Sequence, residues 1–128
     1  DWNHPRAARL AKQLADAGVS VQVGAHGQRE GLAAHWEMWM FVQGGMSPLQ
    51  AIQAATIDPA RHLGMARDLG SIENGKLADL LIIDGNPLED IRVSDHIAYV
   101  VLNGRIYEGG SLAEKVTGQR KLQPFYWQ

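Results

Sequence analysis

The 128-residue sequence contains no cysteine, so it has neither a disulfide framework nor a thiolate metal site. That leaves a cytoplasmic setting open, and equally a periplasmic or secreted one without bridges. No apolar run approaches the roughly 20 residues that cross a bilayer, so no membrane span is expected. A surplus of one charge is also lacking. Twelve Lys+Arg against 14 Asp+Glu leave a net charge of -2, and the pI is near 6.2. Neither value gives the footprint of a nucleic-acid or anionic-membrane binder. The chain does not start with Met but with Asp1-Trp2-Asn3-His4-Pro5. The expectation is a sequence that opens within a longer protein, with any targeting segment upstream. Its length suffices for one domain with a core.

What is present centres on Val19-Ser20-Val21-Gln22-Val23. Three β-branched residues at period two predict a buried strand. It runs into Gly24-Ala25-His26-Gly27-Gln28, placing a His at the carboxyl end of the strand between two glycines. In α/β proteins that end is where sites are built. Before it, Pro5 to Ala17 predicts a helix with an apolar stripe of Leu10, Leu14 and Ala17, closed by Gly18. After it, a helix is expected from about Glu30 to Gln43, apolar nearly all round and ended by Gly44-Gly45. Ser47-Pro48 opens a helix through Ala55. Asp58-Pro59 predicts the same device for a helix over Ala60–Leu63, closed by Gly64.

From Leu69 the character changes to turns and strands. Leu77 to Asp84 predicts a strand, and Gly85-Asn86-Pro87-Leu88 a turn. Ile97–Leu102, Asn103-Gly104 and Arg105-Ile106-Tyr107 predict a hairpin on the favoured Asn-Gly turn. A short helical pattern lies around Leu112–Val116, and the chain ends with the aromatic Phe125-Tyr126-Trp127.

Several of these motifs carry a family resemblance. Gly44 to Ala51, Ala54-Ala55-Thr56, Pro59-Ala60 and Leu63-Gly64 resemble the helical stretch that closes an amidohydrolase-superfamily barrel. Gly70 to Leu80, Asp84 to Leu88 and Val100 to Gly104 resemble the β-sandwich part of the same proteins. Gly24 to Gln28 with His35 to Trp39 is similar to a branch often fused to a TolB-like propeller. The resemblance implies an α/β fold: the C-terminal fragment of a (β/α)8 TIM barrel plus part of a small composite β-sandwich. Residues 1–68 would be the barrel's last helix-strand-helix units, 69–108 the sandwich strands and 109–128 a tail. It also implies hydrolysis of an amide or related carbon–nitrogen bond in a small molecule or short peptide, using one or two divalent ions, usually zinc. The family's first-strand His-x-His pair, bridging Lys and mid-barrel histidines have no counterpart here. Relatives more often place an Asp where His26 stands.

His26 is therefore the candidate metal ligand and catalytic base, since a neutral imidazole does both near neutral pH. Its bland alternative is a His that hydrogen-bonds the loop. Gln28 and His35 are candidate substrate contacts; the alternatives are a solvated loop residue and a buried His satisfied by a partner. Arg29 and Glu30 would share the loop with Gln28. His35 and Glu37, two apart on a helix, point to nearly opposite faces and cannot share an ion. Trp36, Met38, Trp39 and Met40 read as core. Asp79 reads as a partner for turn backbone, and His62 and His96 as surface residues. A second class of function stays open: a non-catalytic module or pseudoenzyme that forms a homo-oligomer or packs against a missing N-terminal part.

Overall fold

The computed structural model describes residues 3–26 and 29–118. Gln28 and the aromatic end over 125–127 lie outside the described residues. Among the described residues four helices come first: α1 (His4–Asp16), α2 (Leu32–Gln43), α3 (Pro48–Ala55) and α4 (Ile57–His62). Three strands follow: β1 (Leu80–Ile83), β2 (Ile97–Leu102) and β3 (Arg105–Glu108), with a 3-10 turn, Ile91–Asp95, between β1 and β2. Among the described residues no helix is long and apolar enough to cross a membrane.

The helix ends follow the sequence signals. Gly18, at φ 83°, takes the left-handed position after α1, and the Val19 N–H reaches back to the Leu14 carbonyl. Ser47 caps α3 reciprocally with Gln50: its Oγ accepts the Gln50 N–H at 3.2 Å, and Gln50 Oε1 accepts the Ser47 N–H at 2.9 Å. The helix expected at Ala60 begins earlier, at Ile57. Asp58 and Pro59 thus lie inside its first turn, where Pro is tolerated because those N–H groups have no intrahelical partner.

Met38, Phe41, Met46, Ala51, Ala54 and Ile91 form the core, with Val21, Val23 and Trp39 packed against it. The packed face of α1 is not the expected leucine stripe. Leu10 and Leu14 are exposed, while Ala8 is buried and Ala11 and Ala15 meet the core. The reason is close approach: a Cβ at Gly44, just past α2, would collide with the Ala8 backbone, so only small residues fit this crossing. Of the expected core aromatics and methionines, Met38 is buried, Trp39 and Met40 are half-buried and Trp36 is exposed.

Val19–Val23 is extended but is not a strand, which corrects the expectation. A strand needs a ladder, and no described residue pairs with this segment. Its valines still behave as the period-two pattern requires, with Val21 and Val23 turned onto the core.

The sheet is antiparallel in the order β1-β2-β3. Asn103 and Gly104, at φ 49° and 74°, form the type I′ hairpin turn. Leu81, Val100 and Tyr107 share one face; Leu80, Val101 and Ile106 share the other. Both faces are therefore apolar, and Leu81, Ile82 and Leu102 remain exposed. The helix expected around Leu112–Val116 does not form. Leu112 is left-handed at φ 54°, and the chain folds back so that Glu114 bridges to Tyr107 and accepts from Arg105 Nη1 at 3.1 Å.

Candidate functional site around His26

The extended segment is held by two consecutive amides. Val23 N–H donates to the Ala54 carbonyl of α3 at 3.0 Å, and Gly24 N–H donates to Glu37 Oε2 of α2 at 2.8 Å. Two residues later the chain turns at His26, which is exposed and stands at φ 52°. The sharp turn thus falls on His26 itself rather than on Gly24. Left-handed backbone costs a non-glycine residue of order 1 kcal/mol, so neighbouring contacts must hold it. Arg29 and Glu30 are exposed in the turn that precedes α2.

Helix α2 is gripped on its other side. His35 Nδ1 lies 3.0 Å from Ser94 Oγ, and Trp39 Nε1–H donates to the same oxygen at 3.0 Å. His35 and Trp39 are four apart and share a face, while Glu37 projects away from it. Ser94 is buried. A serine hydroxyl has one proton to give, and the indole can only donate. Ser94 Oγ therefore accepts the Trp39 N–H and keeps a second hydrogen bond to His35 Nδ1. Burial pushes the His35 imidazole below its ordinary value, partly opposed by the negative charge of Asp95. No local motif marks Ser94; only the fold brings it to α2.

Among the described residues, no group of three or more His, Asp or Glu side chains comes together in a way that would hold a metal. His26 offers a single imidazole, whereas a metal site takes about three or four protein ligands. The described residues therefore do not by themselves fit a metal centre. A groove of about 540 Å³ lies elsewhere, at the start of the extended segment, lined by Val19, Val21, Gln53, Asp58, Arg61 and His62 among others. It opens at the amino end of the segment, away from the end that carries His26. His62 and His96 are exposed, as expected. Asp79 Oδ1 accepts the Asn103 N–H of the hairpin turn at 2.6 Å, the turn-backbone role expected of it.

An α/β chain whose helices hold an extended, His-ended segment and whose second half is a small antiparallel sheet matches a known class. The chain belongs to the amidohydrolase family, whose model matches residues 3–107. It is 33% identical over 113 residues to an ochratoxinase of Aspergillus niger, covering 85% of this chain and 23% of that protein. It is 38% identical over 79 residues to an imidazolonepropionase of Shouchella clausii, covering 59% and 18%. In structure it resembles a Xaa-Pro dipeptidase crystallised with methionine in its active site. The TM-score is 0.74 at 37% identity, covering 81% of this chain and 26% of that one. The chain thus spans about a quarter or less of the length of these relatives.

Proposed function

We propose that this chain is the C-terminal part of a hydrolase that cleaves carbon–nitrogen bonds with water activated at a divalent metal, zinc being the first choice. In this reading 1–68 close a (β/α)8 barrel, with Val19–Val23 as its eighth strand. Residues 69–108 are part of a composite β-sandwich and 109–128 a tail. The observation that carries it is the ladderless extended segment, braced by Ala54 and Glu37 and ending in an exposed His26. A segment of this shape is complete only with strands on its flanks. The exposed leucines of α1 and the apolar faces of the sheet likewise ask for cover.

His26 then stands at the rim as a metal ligand or as the acceptor of a proton from the attacking water. The remaining ligands belong to parts of the protein outside this chain. Gln28 and His35 contribute to the substrate pocket, which takes a small molecule or short peptide. Imidazole brings no negative charge, so a site built on His26 is more positive than one built on Asp.

The test is hydrolysis of Xaa-Pro dipeptides and N-acyl amino acids by the whole protein. The expected result is activity lost with a chelator and restored by zinc, with these 128 residues alone inert. Chelator-insensitive hydrolysis, or equal turnover by the 128 residues, would contradict it. A second reading rests on the exposed Leu81, Ile82 and Leu102: a non-catalytic module that associates through its sheet. Sedimentation of the purified chain as a dimer, with a catalytically inert whole protein, would favour it.

A further inference from the structure

We infer that Glu37 is a positioning residue that fixes the turn carrying His26, a role that rests on the functional reading of His26 given above. Gly24 is exposed, so water competes for its amide, yet that amide is held by Glu37 Oε2 at 2.8 Å. A carboxylate accepting a backbone N–H makes a charge-assisted bond, stronger than its neutral equivalent. The bond spans 13 residues, from the end of the extended segment to the second turn of α2. Among the described residues it is also the last bond of the segment before the chain enters the left-handed His26.

The support behind Glu37 is rigid. Val23, one residue earlier, is tied to α3 through Ala54, which is buried. Helix α2 places Met38 and Phe41 in the core, and Ser94 holds its opposite face through His35 and Trp39. Glu37 therefore reaches Gly24 from a helix fixed on two other sides. Without this bond, the bonds of the described residues would anchor the approach to His26 through Val23 and not through Gly24. A displacement of about 1 Å at a reacting group costs on the order of 100-fold in rate.

The prediction distinguishes the hydrogen bond from the charge. Gln keeps an acceptor oxygen at the same reach and removes the charge, Asp keeps the charge but falls one methylene short, and Ala removes both. In the whole enzyme, assayed on an Xaa-Pro dipeptide, Glu37→Ala and Glu37→Asp should lower kcat by about 10- to 100-fold with KM within about twofold. Glu37→Gln should recover most of that loss. Hydrogen exchange at the Gly24 amide gives a readout independent of turnover: at least about tenfold faster in the Ala and Asp variants, and near wild type in Gln.

A Glu37→Gln protein as impaired as Glu37→Ala would overturn the positioning role and point instead to the carboxylate charge. Unchanged Gly24 exchange in Glu37→Ala would overturn it outright. The two readings fail separately. A fully active His26→Ala enzyme sinks the function assigned to His26, while Gly24 exchange still decides whether Glu37 fixes the turn.

Discussion

His35 and Ser94 are 59 residues apart in sequence, and their Nδ1 and Oγ atoms are 3.0 Å apart in space. This contact, with the Trp39 indole on the same hydroxyl, ties the helix behind His26 to the 3-10 turn beside the sheet. The two halves of the chain are thus joined by a polar pin set beside the apolar contact of Ile91.

Removing the hydroxyl strands two groups at once. Ser94→Ala is expected to destabilise the chain by about 1–3 kcal/mol, the cost of leaving buried polar groups unpaired. Urea denaturation measures it. A change within about 0.5 kcal/mol would show that water replaces the hydroxyl freely.

The same contact sets a pH dependence. The His35 imidazole titrates below its ordinary value of 6.5 because burial disfavours the cation. The unfolded chain therefore binds this proton at a higher pH than the folded one. The contribution to stability is fully present above about pH 6.5 and is lost as pH falls through the folded value. Glu73 and Glu108 are held below their ordinary carboxylate value, chiefly by hydrogen bonds from Ser71 and Ser111. Their contributions fade only at lower pH, so the range between about pH 5 and 6.5 isolates His35. Chemical denaturation at pH 7.5 and 5.5 should show a loss in the native protein that is smaller in His35→Gln. An equal loss in both would assign the effect elsewhere.

Gly44 tests the helix crossing. Alanine is preferred over glycine by about 1 kcal/mol inside a helix, and Gly44 has an ordinary φ of -76°. Gly44→Ala should nevertheless destabilise by about 1–3 kcal/mol, because its Cβ meets the Ala8 backbone. A neutral or stabilising result would mean that α1 and α2 separate easily.

Asp79 tests the hairpin. Its bond to the Asn103 amide fixes a turn whose two central residues are both left-handed. Asp79→Ala should cost about 1 kcal/mol and speed exchange of the Asn103 amide. Unchanged exchange would show that Asn-Gly chemistry alone holds the turn.

Where local chemistry decides, the sequence was readable. Ser47-Pro48, Gly18 and Asn103-Gly104 mark their caps and turn correctly because each acts within a few residues. The opposed directions of His35 and Glu37 followed from helical periodicity alone, and their separate partners, Ser94 and Gly24, agree with it. Legibility fails where the answer depends on a distant partner. Val19–Val23 has a strand's pattern, but a ladder requires a neighbour that no described residue supplies. The choice between alanines and leucines on α1 was settled by Gly44, and the Leu112–Val116 pattern yielded to the Arg105–Glu114 contact. His26, the candidate site residue, stands out in the sequence through its position at the end of the valine pattern. Ser94 does not, because nothing near it in sequence distinguishes it from any other serine in a turn.

The most direct measurement of the central claim is made on the whole protein with His26→Ala. Metal content and kcat are read beside the melting temperature. The account predicts a fall in kcat of about 100-fold or more and reduced metal occupancy, with the melting temperature unchanged because His26 is exposed. Native activity and native metal content in that variant would contradict it.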